Sequence, residues 1–471
     1  MLVFVDLSAL SWKTSDTIVE EIRDYLLTRT AEDDRILVAA FADTLRILAD
    51  ATGDRSAVLA ALDELEEMRG RGTRIASERT LLEREVRNFG LSFSVDPERE
   101  QNFIEQESQR LRREIEQYGR EELDRQRRSI AALEQWIGAV AALEGHKSVL
   151  LATAGYSASP TAFLSALLMQ KRGQVLRSGF DQVDLMEAEG TAVMTRFEAM
   201  LRAAQNARIS FYTITPRTPP VEQNSAEFGS LGRGQARTAP RDISLVEASS
   251  SVAQLAAATG GTRLFVDENL SAGLAQVDLD HAAAYSLGFP VGPEAGDGDH
   301  RVEVRVRREG VRVRHRQSFR RLGLAEAADQ QVAAGAALGA AAHAFPVALE
   351  LSAPEPEGGR GRAQIVPLTV RIPIAGLALV PQGGQWVGRL EVRVALRDDV
   401  GAVRVGAPAA IDLRIPDAEH AEALAGNWAH RAELRLEPGT YRVAVTVTDQ
   451  VAGLLSTALA TAVVPEPPAR R

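Results

Sequence analysis

The chain has 471 residues, carries 64 acidic against 54 basic side chains for a formal charge of -10, and contains no cysteine. Its length exceeds what one hydrophobic core organises and implies two or three domains, while the missing cysteines exclude disulfides, thiolate catalysis and cysteine-ligated metal. The acidic balance argues against nucleic acid as a partner, and no apolar run reaches the roughly 18 residues that a membrane-spanning helix needs.

The chain opens on Met1-Leu2-Val3-Phe4-Val5-Asp6, a strand without polar alternation that ends on a carboxylate. Such a strand is buried on both faces, as in a parallel sheet covered by helices, and ligands of these sheets gather beyond the carboxyl ends of the strands. The spacing of Ile18, Ile22, Tyr25 and Leu26 predicts a helix over about 16–27, followed by a strand over 35–41 and a short antiparallel partner over 45–48. Val58, Leu59, Leu62 and Leu65 predict a helix over 55–68, with Asp54 as its cap.

After the glycine-bearing Arg69-Gly70-Arg71-Gly72-Thr73-Arg74, a polar region rich in glutamate and arginine extends to about Ile130. Its apolar stripe, Ile104, Leu111, Ile115 and Tyr118, changes phase near Gly119 to Leu123, Ile130, Leu133 and Ile137. This predicts a helical excursion at about 97–142, broken or folded as a hairpin and projecting from the domain. It is either a solvated helix laced by ion pairs or a coiled-coil contact with another protein or, for self-association, another copy of the chain. Strands over 147–153 and 208–214 follow, the second after a helix over 186–207, and the turn Ala154-Gly155-Tyr156-Ser157 lies at the same edge as Asp6. Between Pro216 and Pro240 turn-forming residues accumulate as a long surface loop. A helix over 243–258 stops at Gly260-Gly261, a short strand covers 264–266 and a last helix 270–283. Two-residue periodicity at 285–289, 301–306 and 311–315 predicts strands, the latter two joined as a hairpin through Glu309-Gly310 with an arginine side facing solvent. The alanine-rich 326–344 reads as a connector. From 345 to 466 short alternating strands separated by glycine and proline turns predict an antiparallel β-sandwich, with one helical turn near 421–428 and a proline-bearing stop at 465–468.

Asp6 and Ser8 place a carboxylate and a hydroxyl in one loop, and Thr73 adds a hydroxyl if its loop folds back over the same edge. These oxygens suit Mg²⁺, Mn²⁺ or Ca²⁺; the alternative is that Asp6 and Ser8 only cap the next backbone segment. The 70–74 loop lacks the Gly-Lys-Ser/Thr ending of a phosphate loop, Ser8 stands where an aspartyl phosphatase needs an acid-base partner, and neither a His-Glu-x-x-His nor a Gly-x-Ser-x-Gly pattern occurs.

Residues 1–325 resemble a von Willebrand factor type A domain, in particular the bacterial proteins related to that family. The resemblance is carried by Leu2-Val3-Phe4-Val5-Asp6, by the strands beginning at Asp34, Gly145 and Ala207, by Ala258-Thr259-Gly260-Gly261-Thr262-Arg263-Leu264-Phe265 and by Tyr285-Ser286-Leu287-Gly288-Phe289. It implies a doubly wound, mostly parallel α/β sheet and a metal-ion-dependent adhesion site built from an Asp-x-Ser-x-Ser loop, a distant threonine and a distant aspartate. Asp6, Ser8 and Thr73 match, but Leu10 replaces the second serine, Ser11 comes one place late, and Ala154 stands where the distant aspartate is expected. The resemblance therefore implies a non-catalytic protein-interaction or scaffold protein with a degenerate site, holding no cation or a weak Mg²⁺, Mn²⁺ or Ca²⁺. The alternatives are cation-dependent adhesion or ligand binding and, third, a metal-dependent hydrolase. It also implies an extracellular or periplasmic protein whose export signal lies ahead of Met1, with the cytoplasm as the alternative.

Overall fold

The computed structural model describes the chain except residues 32–33, 69, 71, 90–96, 144–146, 177–185, 217–241, 267–268, 286, 289–295, 297, 312, 357–361, 400, 402 and 467–471, and leaves aside the side chains of 97–101 and 172–176. Two compact units result, one of residues 1–134, 147–289 and 302–317, the other of 135–146, 290–301 and 318–471. The loop expected at 216–240 and the end of the 465–468 tail fall outside the described residues.

The first unit contains β1 (Leu2–Asp6), α1 (Trp12–Arg29), β2 (Ile36–Phe41), β3 (Leu45–Thr52), α2 (Arg55–Glu67), α3 (Gly72–Asn88), most of α4 (Pro97–Ala141), β4 (Lys147–Ala152), α5 (Ala162–Leu176), α6 (Glu187–Asn206), β5 (Ile209–Thr215), α7 (Ile243–Thr259), β6 (Arg263–Phe265) and α8 (Leu270–Ala282). The strands form one sheet in the order β3-β2-β1-β4-β5-β6, parallel except for β3, which runs antiparallel to β2. β1, β2 and β4 are buried along their whole length, as an uninterrupted apolar sequence requires of a strand covered on both faces. On one face Val3, Val5, Ile36, Val38 and Tyr212 pack with Ile18 and Ile22 of α1, Val58 and Leu62 of α2 and Leu274 of α8. On the other, α7 lies against β5, where the Thr213 hydroxyl donates to the Val252 carbonyl.

Local capping follows the sequence. Asp54 accepts from the Ser56 amide at the start of α2, and Gly260, with φ at +84°, closes α7. α1 starts earlier than its apolar spacing predicts, because Ser11 caps it by accepting from the Thr14 amide.

The helical excursion differs most from expectation. α4 is one unbroken helix of 45 residues, and it does not project into solvent. Its stripe Ile104, Leu111, Ile115 and Tyr118 is buried with Leu82, Val86 and Phe89 of the α3 region and Phe163, Leu164, Leu167 and Leu168 of α5, a helix absent from the sequence-based expectations. Nor does the buried face end at Gly119. It continues at helical spacing through Glu122, Arg125, Gln126 and Ser129 to Leu133, so the apparent change of phase is a buried stripe whose next members are polar. Gly119 itself marks a close approach, since a Cβ there would meet the ends of Met186 and Thr161.

Tyr285 and Leu287 are exposed and outside any strand. Among the described residues the expected hairpin is paired as strands only at its base, through β7 (Gly298–Arg301) and β8 (Ser318–Arg321) of the second unit, and the described residues of 302–306 and 311–315 are not in strands.

The second unit is antiparallel and rich in strands. The alanine-rich stretch is helix α9 (Leu324–Leu338), whose Val332 and Ala336 pack on Ala395 and Ala444. β9 (Ala348–Leu351), β10 (Glu355–Pro356), β11 (Gln364–Pro373) and β16 (Asn427–Leu436) make one sheet. β12 (Val380–Gln382), β13 (Gln385–Arg397), β14 (Val403–Val405), β15 (Ala409–Pro416), β17 (Gly439–Asp449) and β18 (Leu454–Val464) make the other, with the short α10 (His420–Ala423) before β16. Every second residue of β11 from Gln364 to Ile372 is buried, and Val366, Leu368 and Val370 share a core with Val392, Val443 and Val445 of the other sheet. Among the described residues no helix is long and apolar enough to cross a membrane.

Candidate functional site

Strand order reverses between β1 and β4, and at such a switch point the connections diverge and leave a crevice beyond the carboxyl ends of the strands. Asp6 ends β1 there. Its carboxylate is 0% exposed, so it needs either neutralisation or a full set of donors.

The chain supplies both. Asp6 Oδ1 accepts from the Ser8 amide at 3.1 Å and the Ser8 hydroxyl at 2.6 Å. Oδ2 accepts from the Ser129 hydroxyl of α4 at 2.6 Å and the Thr153 hydroxyl beyond β4 at 3.3 Å. Arg125, one turn before Ser129, brings Nη1 to 3.8 Å from Oδ2 and donates from the same nitrogen to Ser8 Oγ at 3.3 Å. A guanidinium therefore lies among the oxygens that a bound cation would use.

Arg125 is itself buried and held from behind. Nε and Nη2 reach the two carboxylate oxygens of Glu122 at 2.8 and 2.5 Å, a forked pair that fixes the plane of the guanidinium. Burial disfavours its charge, but Glu122 and then Asp6 outweigh that cost and raise its pKa above the ordinary arginine value. Gln126 donates to Glu122 at 2.9 Å and accepts from the Ser157 amide at 3.0 Å, which ties the helix to the turn after β4. Ser157 in turn donates to Glu247 of α7 at 2.6 Å. Tyr156 lies 3.1 Å from Ser129 Oγ, and because the serine proton is directed at Asp6, the phenol is the donor. Burial, and then the charge of Asp6, push the Tyr156 pKa up, so the phenol stays protonated.

The residues expected as ligands are partly brought together. Asp6 and Ser8 meet in one turn, which the Asp6 carboxylate caps. The glycine loop does fold back over this edge: a Cβ at Gly70 would run into the Leu7 carbonyl and one at Gly72 into that of Leu10. Thr73, however, accepts from the Trp12 amide at 2.9 Å and so supports the start of α1. Leu10 is in the apolar core, and Ser11 is a helix cap. Thr153, one residue before Ala154, supplies the contact from β4. No group of three or more His, Asp or Glu side chains converges among the described residues in a way that would hold a metal ion.

Glu122, Arg125, Gln126 and Ser129 escaped the sequence reading. Their spacing of three and four continues from Tyr118, and that continuation was the available signal.

The chain matches no family model and no curated protein sequence. Among solved structures, a Northeast Structural Genomics Consortium target aligns over 27% of this chain and 92% of its own, at 14% identity and a TM-score of 0.18. A beta-glucosidase from Listeria innocua aligns over 98% of this chain and 46% of its own, at 10% identity and a TM-score of 0.17. A Bacteroides uniformis beta-glucuronidase aligns over 25% of this chain and 13% of its own, at 11% identity and a TM-score of 0.16. The chain thus spans less than half the length of these two glycosidases, and at such TM-scores the alignments assign it neither fold nor activity.

Proposed function

We propose that the first unit is a type A-like interaction module, non-catalytic, whose adhesion-type site is closed by an internal cation. The observation that carries this reading is the Arg125 guanidinium beside Asp6 Oδ2 and Ser8 Oγ, on a carboxylate with no exposed surface. A divalent ion would have to displace a buried, doubly bonded arginine and leave Glu122 without its partner. The mostly parallel sheet with Asp6 at its switch point supports the type A resemblance, and the antiparallel sheets of the second unit support a β-sandwich companion. In this reading the chain is a scaffold that binds protein partners without a metal bridge.

Calorimetric titration with Mg²⁺, Mn²⁺ and Ca²⁺ tests it. Wild type and Asp6→Ala should both give no saturable heat. Saturable binding by wild type that Asp6→Ala abolishes overturns the proposal in favour of cation-dependent ligand binding.

A further inference from the structure

Residues 302–317 run against the charge of the whole chain. Arg305, Arg307, Arg308, Arg312, Arg314 and Arg316 stand there with only Glu303 and Glu309 as acids, in a chain of net charge -10. The segment leaves and returns at one rung, where the Val302 amide donates to the Gln317 carbonyl at 2.9 Å. Beyond that rung the described residues of its two limbs share no backbone hydrogen bond, and Gly310, with φ at +74°, turns the tip. The arm is anchored at its return limb. Arg314 binds Asp280 and Thr262, the Gln317 amide donates to Ala258 at the end of α7, and the His315 backbone lies over Gly260.

Its outer part is open. Val306, Val311 and Val313 are 49%, 47% and 38% exposed between the arginines, and Arg307 and Arg308 pair with no other described residue. Near its root, at the amino edge of the parallel sheet, more cations gather. Lys147 begins β4, and burial, then Arg208, lower its pKa to about 8; burial, then Arg208, also lower that of Arg316. The arm thus presents exposed arginines and unpaired backbone together.

We propose that the outgoing limb of the arm, residues 302–308, docks an acidic, extended segment of a partner protein as an added strand. Strand addition uses main-chain hydrogen bonds for affinity and alternate side chains for selection, and the arm offers both: open backbone and a Val-Arg alternation complementary to an acidic-apolar one. A polyanion would engage the arginines but leave the valines and the backbone unused. The inference rests on reading the chain as an interaction protein, and it does not depend on the closed site at Asp6.

Fluorescence anisotropy of the full chain with a labelled alternating Glu-Val peptide tests it. The peptide should bind saturably, weaken about fivefold to tenfold in Arg307→Glu/Arg308→Glu, and lose binding when its alternate amides are N-methylated. An alternating Lys-Val peptide should not bind. Because Arg307 and Arg308 are exposed, the double variant should keep the circular dichroism of wild type. Equal peptide binding by the double variant and wild type, or no effect of N-methylation, overturns the proposal. So does tighter binding of a single-stranded oligonucleotide or of phosphatidylserine vesicles. Peptide binding by Asp6→Ala that keeps the circular dichroism of wild type should equal that of wild type; its loss in that folded variant would place the peptide at the opposite edge and sink the arm while sparing the interaction reading.

Discussion

At the carboxyl edge of the parallel sheet, Asp6 meets a cation and four hydrogen-bond donors supplied by its own chain, and no surface of its carboxylate reaches solvent. At the amino edge, burial and then the charge of Arg208 disfavour the protonated forms of Lys147 and Arg316, and the exposed arm beside them adds Arg307 and Arg308. The difference between Asp6 and the arm's Arg307 and Arg308 follows from burial. A charge withdrawn from water has to be matched within the fold, whereas a charge left in water costs little and stays available to a partner. An acidic loop that resembles a binding site is on this account a structural joint, and the less conspicuous end of the sheet is the interactive one.

The contrast breaks most directly at Arg125. Arg125→Gln leaves Glu122 and Asp6 as buried carboxylates without their shared cation, and urea unfolding should show a loss of about 3–5 kcal/mol. A loss under 1 kcal/mol would mean that the guanidinium does not neutralise the site. Gly70→Ala, which sets a Cβ against the Leu7 carbonyl, should cost about 1–3 kcal/mol. Ser129→Ala removes the 2.6 Å donor to Asp6, and should also cost about 1–3 kcal/mol.

How far these groups can be read from sequence depends on whether their burial leaves a periodic trace. β1, the Asp54 cap and the Gly260 cap are legible, because apolar continuity and turn chemistry are local. α4 is not, since its buried face passes from Tyr118 into Glu122, Arg125 and Ser129, and charged residues in a Glu/Arg-rich stretch resemble a solvated helix. Only their matching across α4, β1 and the turn after β4 permits burial, and that matching is set by tertiary structure. α5 is missed for a related reason: Phe163, Leu164, Leu167 and Leu168 occupy its first half, ahead of the polar Lys171-Arg172-Gly173.

The amino edge gives smaller effects. Lys147 falls from 10.5 to about 8 through burial first and Arg208 second. Below that folded-state value it is charged in the folded and unfolded chain alike, so its burial penalty is fully present. Between about 8 and 10.5 the folded lysine loses its proton while the unfolded one keeps it, and stability rises with pH. Lys147→Met should therefore be more stable than wild type near neutrality by about 1–2 kcal/mol, with the gap closing across that window in parallel urea melts. A gap that widens with pH would contradict the shift. Smallest is Arg307→Glu/Arg308→Glu, expected within about 0.5 kcal/mol of wild type, because nothing in the fold leans on those two guanidinium groups.

The central claim, that an internal guanidinium takes the place of a cation at Asp6, is tested most directly by crystals of the wild-type chain soaked in Mn²⁺ and measured for anomalous scattering. The account predicts Arg125 beside Asp6 and Ser8 with no anomalous peak at those oxygens. A manganese peak bonded to Asp6 and Ser8, with Arg125 turned away from them, would contradict it.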